Sequence, residues 1–222
     1  MALIDFQTAR TLLDNISLLL LAAAVGSVLL RKLDSSIRLL AAQGLLLAAG
    51  AGVVAMATGT VHAYVAVALT LLIKVLVVPA ILLHALREVR IKRETEAVLS
   101  RRITLPIAIG LVFVAYYVAG PYNDLDGLLA RNALPAAVSM LFIGLLSMLT
   151  QKKALSQVIG IVAMENGLYL MAVVATQGLP LAVELGVAVD VVVGVLVMGM
   201  FARLIHRTFD TIDTDHLRAL RG

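Results

Sequence analysis

The sequence predicts an all-α integral membrane protein of about seven transmembrane helices, and three observations predict this fold class. Of the 222 residues, 61% are hydrophobic and 14% are charged, whereas soluble domains are nearer half apolar and a quarter charged. The mean hydropathy is high, at +1.02. Seven apolar runs are long enough to cross about 30 Å of hydrocarbon as helices.

The predicted spans follow one another along the chain. They are 12–30, 36–57, 62–86, 103–119, 132–150, 155–176 and 181–201. Short connectors join most of them, but the charged stretch 87–102 precedes the fourth span and the polar stretch 120–131 precedes the fifth. Because Pro121 and the small polar residues after it break helices, we divide the chain there. The front part, 1–127, has four helices, and the back part, 128–222, has three helices and a tail.

The basic residues predict the orientation of these spans. Of the 18 lysines and arginines, fifteen lie in connectors or the tail on one side. They are Arg31, Lys32, Arg38, Arg87, Arg90, Lys92, Arg93, Arg101, Arg102, Lys152, Lys153, Arg203, Arg207, Arg218 and Arg221. The other side has Arg10 and Arg131, and Lys74 lies within the third span. Because basic connectors stay in the cytoplasm, we expect the N-terminus outside and the C-terminus in the cytoplasm.

Three ionisable residues, Lys74, Glu165 and Asp190, fall at the centres of their spans. Each costs about 2.5–3.5 kcal/mol at the middle of a transmembrane helix, so we expect them to face the bundle interior, pair with one another or border water. A structural ion pair that fixes helix register is one interpretation. We favour the other, a proton relay in which Glu165 and Asp190 pass protons on and Lys74 modulates them.

The neighbours of the two acidic residues indicate how each is accommodated. Gly186, Asp190 and Gly194 recur one helical turn apart, so Asp190 should project into a close contact between helices. Asn166 follows Glu165 directly and a glycine comes next. This combination suggests a local irregularity of the backbone or a bound water.

A proline five residues after Lys74 predicts a kink in the third span. Pro79 cannot donate a hydrogen bond to the carbonyl of Val75, which then needs another polar partner in lipid. A hydroxyl one turn from the lysine is available for this role. The accessory candidates for a polar path are Thr70, Gln43, His84 and Glu184. For the last three we favour a structural role, which for Glu184 is that of a carboxylate in the first turn of its helix.

The composition also argues against several classes of function. The chain has no cysteine, which excludes disulfides, thiolate zinc sites and iron–sulfur ligation within it. Its four histidines lack helical metal-ligand spacing, so we expect no metal site and no cofactor. The N-terminus lacks the features of a removable signal peptide. A retinal protein fits poorly because tryptophan is absent and the buried lysine lies in the third span.

Four sequence segments together carry a resemblance to a known family. They are LIKVLVVP at 72–79, MENG at 164–167, ELGVAVD at 184–190 and HRT at 206–208. The chain resembles the hydrogenase-4 component E family, a membrane subunit of energy-converting [NiFe] hydrogenase and formate hydrogenlyase complexes. The resemblance further implies that the front part corresponds to the J-type subunit of respiratory complex I.

The back part is similar to the K subunit, chain 4L, of complex I, which has a carboxylate in each of its last two helices. Asp190 matches the later carboxylate. The earlier one would fall near Val162, and Glu165 lies one helical turn beyond that position, about 4.5 Å along the axis. The resemblance therefore implies a proton route whose geometry differs from that of the K subunit.

The resemblance implies a non-catalytic membrane-arm subunit in a prokaryotic inner membrane, where electron transfer drives proton or sodium translocation. Antiporter-like subunits would flank the chain within the lipid bilayer, and a soluble [NiFe]-hydrogenase-like arm would hold all metal centres. We expect no enzymatic activity in the chain itself and no nucleic acid partner. The alternative is a structural adaptor in a multisubunit cation/proton antiporter without redox activity.

Overall fold

The structure, a computed structural model, describes residues 4–30, 32–88, 98–122, 131–175 and the single residue Gly194. The described residues lie mainly in helices, and six of these helices are long and apolar enough to cross a membrane. The elements are α1 Phe6–Ser27, α2 Leu33–Thr58, α3 Val61–Thr70, a π-helical segment Leu71–Val77, α4 Val78–Glu88, α5 Arg101–Ala119, a 3₁₀ turn Gly120–Tyr122, α6 Ala133–Thr150 and α7 Ala154–Ala175. The continuous run α3–π–α4 forms one spanning helix.

The six spanning helices confirm the first six predicted spans. The largest difference is at the start of α1, which begins at Phe6 instead of near residue 12. Arg10 interrupts the apolar run but not the helix, whose inward face is already buried at Ala9. The predicted seventh span, 181–201, lies outside the described residues except for Gly194, which is helical.

Helix α2 has contacts on several sides of the bundle. It packs against α1, α7 and all three parts of the third spanning helix, while α6 packs against α1, α5 and α7. One apolar cluster joins α1, α2, α5, α6 and α7 around side chains such as Leu13 and Met140. A second joins α2, α4 and α7 around Ile37, Leu82 and Val158. This packing brings the middles of α2, the π-helical segment and α7 together.

Glycines allow α6 and α7 to pack with their backbones in contact. A Cβ atom placed on Gly144 would lie 2.5 Å from the backbone nitrogen of Met164, and one on Gly160 would lie 2.7 Å from that of Met148. Gly167 is similarly crowded by α6. Of the two alternatives expected beside Glu165, an irregular backbone is wrong, and a bound water stays a prediction. Because α7 is an uninterrupted α-helix, these glycines serve close packing instead.

The irregular backbone lies in the third spanning helix, before Pro79. Where the sequence predicts a kink, the structure has the π-helical segment. At its end the N–H of Val78 donates to the carbonyl of Ile73, five residues back. A π-helical hydrogen bond spans five residues instead of the four of an α-helix, and the wider turn changes the direction in which side chains project. Lys74 lies at the middle of this segment.

Candidate functional site

The structure brings two of the three predicted mid-span residues together. Lys74 is 4% exposed and Glu165 is 3% exposed. The ammonium group of Lys74 donates to both carboxylate oxygens of Glu165, which comes from α7, 91 residues further along the chain. Pairing is what burial of two opposite charges requires, because an isolated charge in the interior costs several kcal/mol, on the order of tens in an idealised apolar medium.

Two buried amides extend this ion pair toward α2. Lys74 Nζ also donates to Asn166 Oδ1, at 3.1 Å. Asn166 Nδ2 in turn donates to Gln43 Oε1, at 3.1 Å. Both amide residues are 1% exposed. The sequence predicted Gln43 as an accessory residue, and the structure connects it to the ion pair through Asn166.

A tyrosine of α7 lies beside the lysine. The Nζ atom of Lys74 is 5.0 Å from the centre of the Tyr169 ring, a cation–π contact. The Tyr169 hydroxyl is 2.6 Å from that of Thr70, which also donates to the carbonyl of Ala66 at 2.8 Å. Thr70 therefore bonds to Tyr169, and its expected role as the partner of the Val75 carbonyl is wrong.

Helix α2 packs closely against the backbone of Lys74. A Cβ atom placed on Gly44 would lie 2.9 Å from Lys74 Cβ and 3.0 Å from its carbonyl oxygen. Gly44 directly follows Gln43, so one turn of α2 contacts both the lysine backbone and the amide chain. Only a residue without a side chain fits at this crossing.

The other predicted residues are placed differently. His84 is exposed on α4, and the ten residues between it and Lys74 correspond to about 15 Å along the helix axis. The structure does not bring it to the ion pair. Asp190 and Glu184 lie outside the described residues, so a contact of Asp190 with the pair stays a prediction. Within the described part of the chain, no group of three or more His, Asp or Glu residues could hold a metal ion.

Sequence reasoning missed two members of this cluster. Asn166 was interpreted as a sign of irregular backbone, and Tyr169 was not considered. A signal for Tyr169 was present, because it follows Glu165 by four residues along α7 and so lies on the same helix face as the carboxylate. For Asn166 the signal was an amide side chain within an apolar span. What the sequence could not give is which helix lies opposite that face.

The six spanning helices and the buried ion pair define a multi-pass membrane protein that holds ionisable groups inside its bundle. Hydrogenase-4 component E of Escherichia coli (strain K12) is 32% identical over 149 residues, which are 67% of this chain and 69% of that protein. The protein of the same name from Shigella flexneri matches equally. The chain belongs to the hydrogenase-4 component E family.

Two further similarities extend along the chain. An uncharacterized protein of Mycobacterium tuberculosis is 35% identical over 219 residues, which are 93% of this chain and 98% of that protein. The model of the NADH-ubiquinone/plastoquinone oxidoreductase chain 4L family matches residues 133–222. This confirms the predicted similarity of the back part to chain 4L. No solved structure matches.

Proposed function

We propose that the protein is a non-catalytic membrane-arm subunit of a redox-driven complex of the energy-converting [NiFe] hydrogenase type. Its place is the cytoplasmic membrane of a prokaryote, beside antiporter-like subunits and below a soluble arm that holds the metal centres. Family membership and the chain 4L match support a membrane subunit in a complex I-like assembly. Formate hydrogenlyase is one such complex.

The observation that carries a role in ion movement is the buried Lys74–Glu165 pair. Apolar residues of similar volume would hold two helices together as well or better, because a buried ion pair seldom adds stability. Ionisable groups within a membrane bundle are instead typical of ion and proton pathways. We therefore assign the pair to the proton relay.

In this relay the carboxylate of Glu165 accepts a proton and becomes a neutral carboxylic acid. Lys74 then loses its counter-charge, which favours the return of Glu165 to the ionised state. The proton moves on to Asp190 in the predicted seventh span. The first step moves one proton from water to Glu165, the second moves it from Glu165 to Asp190, and the electrons that drive the cycle stay in the soluble arm.

Purification of the tagged protein in mild detergent, followed by mass spectrometry of what accompanies it, tests the proposed assembly. We expect antiporter-like subunits together with a [NiFe]-hydrogenase-like soluble arm. Antiporter-like subunits without a redox arm would contradict the redox coupling and favour the cation/proton antiporter adaptor. If nothing accompanies the protein under conditions that preserve other membrane complexes, the proposed assembly is wrong.

A further inference from the structure

Two cavities whose walls combine polar and apolar side chains lie between one end of the bundle and the ion pair. The inner one, the chamber, has a volume of about 40 Å³, and its walls include Ser36, Gln43 and Ser156. The outer one, the vestibule, has a volume of about 200 Å³, and its walls include Arg101 and Thr104. Ser27, Leu30, Ser147 and Gln151 line both cavities. The two are therefore neighbours along one polar route.

The buried side-chain polar atoms without a hydrogen-bond partner, among the described residues, all belong to residues that line the chamber. In that part of the chain, three buried side-chain atoms have no hydrogen-bond partner: Gln43 Nε2, Gln151 Oε1 and Ser156 Oγ. All three residues line the chamber. An unpaired buried polar group costs about 1–3 kcal/mol. A chance scatter of such atoms would not place every one of them on the wall of the same small cavity.

The size and chemistry of the chamber fit water. One buried water needs about 10–15 Å³ of such space and two to four polar partners, so roughly three waters fit. The amide donor of Gln43, the amide acceptor of Gln151 and the hydroxyl of Ser156 are groups that water can bond. The class of ligand is therefore water itself, with the hydronium ion as its charged form.

The chamber reaches the depth of the ion pair. Gln43 lines its wall and accepts a hydrogen bond from Asn166, which accepts one from Lys74. On α7 the chamber is lined from Ser156 to Ala163, about 10 Å along the helix axis. The hydrogen bond between Gln43 and Asn166 connects its inner wall to the ion pair.

We propose that the vestibule and chamber form a water-filled proton inlet to the Lys74–Glu165 pair. It opens at the end of the bundle that carries the α1–α2 and α6–α7 turns, the side predicted to be cytoplasmic. Hydronium in the vestibule passes its proton along the waters of the chamber. The innermost water protonates the Glu165 carboxylate and remains as neutral water, while Gln43 and Asn166 hold that end of the water chain. This inlet rests on the proposed relay.

Cysteine substitution tests the inlet directly, because the chain has no cysteine of its own. We would make Ser156→Cys in the chamber and treat the assembled complex in membranes with methyl methanethiosulfonate, reading the mass of this subunit. The reactive form is the thiolate, which needs water to solvate its charge. The matched control is Ser139→Cys on α6, which is fully buried, bonded to the carbonyl of Pro135 and remote from both cavities.

We expect Ser156→Cys to react at least about tenfold faster than Ser139→Cys, the factor given by about 1.4 kcal/mol of difference in thiolate stabilisation. Equal rates would overturn a water-filled chamber and leave the relay untouched. Ser147→Cys should react with a charged trimethylammonium methanethiosulfonate only from the side of the α1–α2 turn. Reaction from the opposite side would overturn the direction of the inlet.

A second variant separates an inlet from a chamber that merely holds structural water. Ser156→Leu fills the chamber without touching Lys74, Glu165 or Asn166. We expect proton translocation to slow about tenfold or more, as for an added barrier of about 1.4 kcal/mol, while the complex stays assembled. Normal translocation in Ser156→Leu would overturn the inlet. Normal translocation in Glu165→Gln would instead overturn the relay, so the two failures are distinguishable.

Discussion

The lysine at the centre of the third spanning helix contacts three side chains of α7. Glu165 compensates its charge, Asn166 takes a further hydrogen bond, and the Tyr169 ring lies beside it. These contacts come from one face of α7, within little more than a helical turn. A charge held in this way is stable in the membrane interior only as long as its carboxylate stays in place.

Removal of one partner should therefore destabilise the protein more than removal of both. We expect Lys74→Met alone to lower the free energy of unfolding by about 3–5 kcal/mol, because it leaves the Glu165 carboxylate buried without compensation. The double variant Lys74→Met/Glu165→Met should recover most of this loss. Thermal unfolding of the detergent-purified complex, followed through this subunit, measures both. Additive losses in the double-mutant cycle would contradict the direct pairing.

The sequence predicted the buried charges because their cost at mid-span allows few alternatives. It also left open whether they pair with one another, since no pattern along a single helix tells which helix is its neighbour. Gln43 was included only as an accessory candidate for the same reason. Tyr169 was not considered and Asn166 was not assigned to the site, because an amide or a tyrosine in a span is less costly than a charge and so gives a weaker signal.

At the scale of helices, the crossing of α2 and the π-helical segment positions the lysine. Gly44 lies against the Lys74 backbone, whereas Gly52, two turns further along α2, has open space around it. We expect Gly44→Ala to move Lys74 away from Glu165 and to reduce proton translocation at least about tenfold, the equivalent of about 1.4 kcal/mol. Proton uptake by membrane vesicles, coupled to electron transfer, measures the reduction in translocation.

The matched control is Gly52→Ala in the same helix. It should leave translocation unchanged and slightly stabilise α2, because alanine is favoured over glycine in a helix by about 1 kcal/mol. Equal rates of proton translocation in Gly44→Ala and Gly52→Ala would contradict a functional role for the contact between Gly44 and the lysine backbone.

The contact between α6 and α7 supports the other half of the site. In Gly144→Ala the new methyl group would meet the α7 backbone at Met164, directly before Glu165. We expect a loss of about 1–3 kcal/mol in stability, as overpacking of a tight contact usually costs. Gly110→Ala in α5, where nothing lies within 4 Å, should be neutral or stabilising. Thermal unfolding of the two variants measures the difference. Equal midpoints for Gly144→Ala and Gly110→Ala would contradict the close packing of α6 against α7.

Apolar runs predicted the spanning helices well because hydropathy alone determines which segments can cross lipid. The start of α1 was missed since a helix continues past the hydrocarbon into polar surroundings. The π-helical segment could not be predicted in its observed form. Pro79 indicates a disturbance of the helix, but it does not tell whether the chain kinks or forms a wider turn.

At the scale of the whole molecule, the ion pair joins the two predicted parts of the chain. Lys74, Thr70 and Gln43 belong to the front part, and Glu165 with its neighbours on α7 belongs to the back part, which the chain 4L family matches. The polar cluster therefore exists only when both parts pack together. The division near residue 127, the orientation and the seventh span stay predictions from sequence.

The relay is tested most directly by the ratio of protons translocated to electrons transferred in the purified complex reconstituted into vesicles. We would compare Glu165→Gln with the unaltered complex and with Asp34→Asn, a carboxylate in the first turn of α2 that takes no part in the site. Asp190→Asn, in the predicted seventh span, should behave like Glu165→Gln. We expect both relay variants to assemble and to keep electron transfer in the soluble arm while their proton-to-electron ratio falls. A normal ratio in the assembled Glu165→Gln complex would contradict the relay.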